Sequence, residues 1–351
     1  MISNTQESAV RPAPVEASQW LPRIAPGLLL ALVLAGIATL LGQLVPIVGG
    51  PVFGILAGAL SAAAVAALRA PRWQPGYTVA AKPVLQLSIV VLGTGLTLRQ
   101  VVSVGGQSLP VMLGTLAVAL SGAWVLGRLL AVRGDTLTLI AVGTAICGAS
   151  AIAATTAVIK AKDSAVAYAI GTIFTFNIAA VLLFPPIGHL LGMNAHAFGL
   201  WSGTAINDTS SVLAAGYAYG GDTGAYSLVV KLTRTLTLIP IVIVLGIRAA
   251  RRDTANGKLS LRAMPWRKIV PLFLLGFILA AGLDSLGVIP SSWHPVLSVA
   301  GAFLITTALA GIGLSLRLAD LRQAGHRPLL LGALLWVAVA ASSLGLQALT
   351  T

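Results

Sequence analysis

Charge is scarce in this chain: of 351 residues only 9% are Asp, Glu, Lys or Arg, and nine residues are acidic. Soluble domains carry about 25% charged residues, so an ordinary water-exposed surface is excluded. The single cysteine, Cys147, excludes an intrachain disulfide and any multi-cysteine metal site. There is no phosphate-binding Gly-Lys motif, no Ser-His-Asp arrangement and no pair of catalytic carboxylates, so neither ATP hydrolysis nor another enzymatic activity is expected. His189, His196, His294 and His326 fall at the ends of apolar blocks or between them, without metal-ligand spacing, and no metal or other cofactor is expected.

What the chain has instead is 57% hydrophobic residues in successive blocks. Blocks of about 20 apolar residues match the length of a helix crossing a hydrocarbon core. They lack the alternation of barrel strands. The fold class is therefore all-α, a polytopic membrane protein with eleven expected spans: 24–45, 50–69, 78–98, 108–131, 137–160, 165–191, 198–216, 224–247, 268–289, 294–316 and 327–349. Residues 1–23 are polar and form an expected disordered tail; 24–349 form one transmembrane domain. The first block is too long for a signal-peptide core. Trp20, Trp73, Trp201, Trp266 and Trp293 lie near expected interfaces, where indoles anchor spans.

The formal net charge of +13 does not point to nucleic acid, because the basic residues sit in short loops rather than on one polar face. Arg11, Arg23, Arg69, Arg72, Lys82, Arg128, Arg133, Arg248, Arg251, Arg252, Lys258, Arg262, Arg267, Lys268, Arg317, Arg322 and Arg327 fall on one side of an eleven-span arrangement. Arg99, Lys160 and Lys162 fall on the other. The positive-inside rule then places the N-terminus in the cytoplasm and the C-terminus outside. Arg248 to Arg267 is a basic connection, not a soluble module.

Two internal echoes stand out. LGTGLTLRQ (92–100) resembles AGIGLSLRL (310–318), and Pro110 and Gly114 recur at the same offset as Pro328 and Gly332. An odd separation in spans reverses the direction of crossing, as an inverted repeat requires. GTAICGASAIAA (143–154) resembles GTAINDTSSVLAA (203–215). If both segments cross, they run the same way; either the similarity is accidental or one segment is a re-entrant or broken element.

The second of these stretches is the most polar interruption of the apolar sequence. It holds Asn207, Asp208, Thr209, Ser210 and Ser211. A carboxylate in the middle of a membrane helix costs roughly 2.5–3.5 kcal/mol and calls for a partner. The candidates are Lys231 and Arg234, one turn apart in the next block, with Asn177 at a similar depth in the block before. Two cations and one carboxylate leave a positive site that suits an anion such as sulfate, which a planar Arg fork matches well. The alternatives are a purely structural ion pair and basic side chains snorkelling outward. Asp208 would link occupancy to protonation, since a cation and burial act on it in opposite directions. Around Cys147, the run Gly148, Ala149, Ser150 allows a helix to unwind and offer the positive end of a half-helix, or simply to pack closely. Cys147 itself suits packing better than nucleophilic chemistry.

ICGASAIAA (146–154), FNIAAVLLFP (176–185), HAFGLWSGTAINDTSSVLAAG (196–216), LGTGLTLR and KLTRTLTLIP (231–240) resemble the sulfate exporter family of bacterial inner-membrane proteins. The resemblance covers nearly the whole chain beyond the tail. It implies grouping with the bile acid, arsenite and riboflavin transporter superfamily, and an inverted-repeat fold with broken helices at mid-membrane. The function expected is a secondary transporter exporting a small anion by alternating access, with the lipid bilayer as its medium and self-association left open. Two rivals are a sodium/proton antiporter, in which Asp208 binds the cation and Lys231 competes, and a non-transporting receptor or assembly factor.

Overall fold

The computed structural model describes residues 17–44, 49–252, 271–315 and 326–350, and all regular structure among them is helical. The elements are α1 (Ala17–Leu44), α2 (Gly50–Ala64), α3 (Gln74–Gly93), α4 (Leu98–Leu129), α5 (Gly134–Ala145), α6 (Ala149–Ile159), α7 (Asp163–Leu190), α8 (Ala195–Ala205) and α9 (Thr209–Tyr219). They continue with α10 (Thr223–Leu236), α11 (Leu238–Arg252), α12 (Leu272–Ser285), α13 (His294–Ser315) and α14 (His326–Thr350). Among the described residues, seven of the eleven expected spans are helices long and apolar enough to cross a membrane; α2 and α12 are shorter apolar helices there. Helix α1 starts at Ala17, inside the stretch expected as tail, and residues 1–16 lie outside the described residues, as do Trp266, Lys258, Arg262, Arg267, Lys268, Arg317 and Arg322.

The helices form two groups. In one, α1, α2, α3, α12 and α13 pack together. Its tightest contact joins α2 to α13 through small residues, as in many membrane interfaces. A Cβ on Gly58 would lie 2.3 Å from the Ala310 carbonyl oxygen, and one on Gly313 would lie 2.3 Å from that of Ile55. The second group contains α4, α7, α10 and α14 with the four short helices α5, α6, α8 and α9. Leu85, Ile89, Leu213, Leu228, Leu232 and Ala308 form an apolar cluster between the groups.

The remaining two expected spans, 137–160 and 198–216, do not cross. Helix α5 turns back into α6, and the Lys162 backbone N–H, just beyond α6, donates to Asp135 Oδ2 at the start of α5, 3.3 Å away. Ile152 of α6 folds against Gly143 of α5. Helix α8 likewise turns back into α9: Tyr219 at the end of α9 stacks on Phe198 and on His189, and its hydroxyl donates to the Met193 carbonyl. Both segments are re-entrant hairpins. Helix α7 runs the length of the bundle between them, so hairpin 1 (α5–α6) enters from one end and hairpin 2 (α8–α9) from the other.

This geometry corrects the expected side of Lys160 and Lys162. Because hairpin 1 returns, both lie at the end that holds Arg133 and Arg128. Among the described residues, Arg99 is then the one Lys or Arg at the opposite end, where the Leu98 N–H donates to Ser285 Oγ. Trp201 is not at an interface either; it is buried within hairpin 2, stacked on Phe184, with its Nε1–H donating to the Ala340 carbonyl. On a Cys147→Ala background, single cysteines replacing Arg133 and Lys160 are expected to react with an impermeant maleimide from the same face of the membrane. A cysteine replacing Asn194 should react from the other face. Opposite-face labelling of positions 133 and 160 would show that hairpin 1 crosses.

Candidate functional site

The tips of the hairpins meet. Hairpin 1 runs through Gly143, Thr144, Ala145 and Ile146 into Cys147 and Gly148; hairpin 2 runs through Gly203, Thr204, Ala205 and Ile206 into Asn207 and Asp208. A Cβ on Gly148 would sit 3.7 Å from the carbonyl carbon of Asn207 and from the Cα of Asp208. Gly148 has φ 63° and ψ −126°, a conformation that residues with a Cβ strongly avoid, and it is what lets α5 stop and α6 start within three residues.

A helix that stops inside an apolar medium leaves up to four carbonyls without partners, each costly to bury. Helix α10 supplies the missing donors. Lys231 Nζ donates to the Ile146 and Ile206 carbonyls at 2.6 and 2.9 Å. Arg234 donates through Nη2 to the Thr144 carbonyl at 3.0 Å, through Nε to that of Ala145 at 2.7 Å, and through Nη1 to that of Thr204. The partners fall in equivalent positions of the two Gly-Thr-Ala-Ile copies: Lys231 holds the two Ile carbonyls and Arg234 the two Thr carbonyls. Both side chains are fully buried. Their charge also offsets the negative ends of the two half-helices.

Asp208 does something different from what the sequence suggested. Among the described residues the one ion pair is Asp284 with His294, at 2.7 Å; neither Lys231 nor Arg234 pairs with Asp208. The carboxylate instead caps α9, accepting from the Ser210 and Ser211 backbone N–H groups at 3.0 and 3.3 Å and from the Ser210 hydroxyl. The physical reason is local: an Asp directly before a half-helix finds the free N–H groups of that helix closest to hand, and they complement its charge.

The other expected residues sort by distance from the junction. Asn177, buried on α7, accepts the Asp208 backbone N–H through Oδ1 at 3.3 Å, so it joins the site. Asn207 is buried at the tip with Oδ1 unpartnered. Cys147 and Gly148 are buried in the facing tip. Thr209 and Ser210 are half-buried in the first turn of α9, and Ser150 is exposed in the first turn of α6. The sequence reading missed the backbone carbonyls as the partners of the cations. It also missed two hydroxyl pairs that tie hairpin 2 to its neighbours, Ser202 with Ser227 at 2.8 Å and Thr204 with Ser343 at 2.7 Å. The repeated Gly-Thr-Ala-Ile was the available signal for the carbonyls; nothing in the pattern marked the hydroxyl pairs.

At the Arg99 end, a cavity of about 590 Å³ opens between the two helix groups, lined by residues that include Gln100, His196, Tyr217, Asp222, Tyr226 and His294. Below it, Ala214, Ile305 and Leu309 pack with Leu92 and Tyr217. Space is thus open to one end of the bundle and bounded by apolar side chains towards its middle.

The clamp predicts an ordered set of stabilities. Arg234→Lys keeps a charge but cannot span three carbonyls, and Arg234→Ala leaves all three without a side-chain donor; the thermal midpoint in detergent should fall in that order. For Ala the loss is expected to be about 3 kcal/mol or more, from charge-assisted bonds of about 1.5–3 kcal/mol each. Asp208→Asn retains a capping oxygen and should cost less than Asp208→Ala, for which about 1 kcal/mol is expected. Equal midpoints for the two Asp208 variants would argue against the capping role.

The family described as Conserved hypothetical protein 698 matches residues 26–332. A UPF0324 membrane protein of Streptococcus pyogenes serotype M3 is 43% identical over 330 residues, covering 92% of this chain and 96% of the relative. UPF0324 membrane proteins of Streptococcus pneumoniae and Streptococcus agalactiae serotype V are 40% and 41% identical, each over 92% of this chain and over 96% and 97% of the relatives. No solved structure matches.

Proposed function

The chain belongs to the family described as Conserved hypothetical protein 698, a family of membrane proteins, and from its site we propose that it is a secondary transporter of a small anion working by alternating access. The observation that carries this reading is the meeting of two re-entrant hairpins, from opposite ends, over a buried Lys and Arg. Broken helices whose ends converge in mid-bundle are how transporters place polar groups where a substrate must pass. The approach of the hairpins from opposite ends supports the inverted-repeat reading. So does the position of the other echo, whose copies begin at opposite ends of the bundle, although residues 316–318 of the second copy lie outside the described residues.

The charge favours an anion. Each half-helix end contributes roughly half an elementary charge, so the two carbonyl ends together offset about one of the two cations, and Asp208 offsets the other. The first turns of α6 and α9 then remain as a surplus of positive potential. On this reading Lys231 and Arg234 set the potential and hold the tips, while the first turns of α6 and α9, with Ser150, Thr209 and Ser210, and the buried Asn207 beside them meet the anion. Sulfate is the substrate favoured by the family resemblance, and Asp208 is the candidate for proton coupling. The antiporter rival has less support, because the Asp208 carboxylate is occupied with the first turn of α9.

Location follows from the same charges. With Lys160 and Lys162 at the basic end, the Lys and Arg bias sharpens, which supports a bacterial inner-membrane protein with its N-terminus in the cytoplasm and its C-terminus outside. Proteoliposomes containing the wild-type protein are expected to move labelled sulfate, and a Ser150→Ala, Ser210→Ala double variant should lower the flux at least several-fold without lowering the thermal midpoint comparably. Background flux of sulfate and of other small anions by the wild type would sink the transporter reading.

A further inference from the structure

We infer that the Lys231 ammonium is a tethered cation, occupying the seat that an alkali coupling ion would take between the two hairpin tips, so that transport proceeds without sodium. The inference rests on the transporter reading for its mechanistic meaning, but its geometric basis is separate.

A bare cation held at broken helices is bound by backbone carbonyls of the unwound segments and by the negative ends of half-helices. Here those ligands are present and taken. The Ile146 and Ile206 carbonyls, one from each hairpin and in matching positions of the repeated Gly-Thr-Ala-Ile, converge on Lys231 Nζ at 2.6 and 2.9 Å. Arg234 takes the Thr144 and Ala145 carbonyls of the first copy and the Thr204 carbonyl of the second. The ammonium is fully buried, and among the described residues it has no carboxylate partner. Both of its recorded hydrogen bonds go to backbone oxygens at half-helix ends, a type of ligand that a small cation at broken helices also uses, rather than to a carboxylate. The near-symmetry of the ligands matters as well. A single point charge between two like hairpins binds equivalent atoms of both, here at 2.6 and 2.9 Å, whereas a salt bridge would favour one side.

Two consequences distinguish this from an ordinary buried lysine. A chain with its own cation has no vacancy for sodium, so wild-type stability and flux should be indifferent to the alkali ion. Removing the tether should create the vacancy. Lys231→Ala deletes the three distal methylenes and the ammonium, leaving space that n-propylammonium fills atom for atom.

The experiment measures thermal midpoints of purified protein in detergent with sodium, potassium, choline or n-propylammonium chloride at one ionic strength, together with sulfate flux in sodium and choline media. The wild type should melt at one temperature in all four salts and transport equally in both media; stabilisation specific to sodium, or flux that requires it, overturns the inference. Lys231→Ala should melt below the wild type and recover part of the difference in n-propylammonium but not in choline. Absence of that recovery in folded Lys231→Ala also overturns it. If Lys231→Ala cannot be recovered folded, the wild-type salt series decides alone. Zero sulfate flux in both media counts against the transporter reading and leaves the thermal comparison to judge the seat.

Discussion

Backbone polarity in an apolar medium is the constraint on which this structure turns. A helix that ends halfway through a membrane exposes carbonyls that water would otherwise satisfy. Here two helices end halfway, face to face, and one adjacent helix serves both. Lys231 and Arg234 are one turn apart on α10, so one face of that helix presents five side-chain donor contacts to the two breaks. Without them the carbonyls at both breaks would be buried with no side-chain donor. The short helices, the reversal of hairpin 1 and the burial of two charged residues are parts of one solution.

Much of the site was legible before any geometry was known. Lys231, Arg234, Asn177 and Asp208 are conspicuous because ionisable and amide side chains are expensive in apolar blocks, and Gly148 because a small residue after Cys147 permits unwinding. Their pairing was not legible. A carboxylate and two cations suggest a salt bridge from composition alone, but a sequence carries no symbol for a free carbonyl, and the carbonyls won. Asp208 was drawn instead to the N–H groups two and three residues ahead of it, a local interaction that needs no tertiary contact.

The span count shows a second limit. Residues 137–160 and 198–216 have the length and apolarity of crossing helices, and nothing in hydropathy distinguishes a segment that crosses from one that turns at its midpoint. Two observations were left unexplained by crossing even so. Lys160 and Lys162 were basic residues on an otherwise nearly uncharged side, and two similar segments appeared to run in the same direction. A single change, letting each segment return to the end it entered from, removes both: it reverses α7 alone, moves the two lysines among the other basic residues, and makes the similar segments oppose one another.

The shared grip of α10 also limits which parts can slide. Because one lysine and one arginine each hold a carbonyl from both hairpins, displacing one tip relative to the other would break several charge-assisted bonds at once, while displacing the two tips and α10 together would break none of them. Where the second group meets the first, by contrast, Leu85, Ile89, Leu213 and Leu232 pack through apolar side chains, and the Leu98 N–H to Ser285 Oγ bond lies at the Arg99 end. Directional bonds are thus concentrated at the centre, and the contact between the helix groups is mainly apolar.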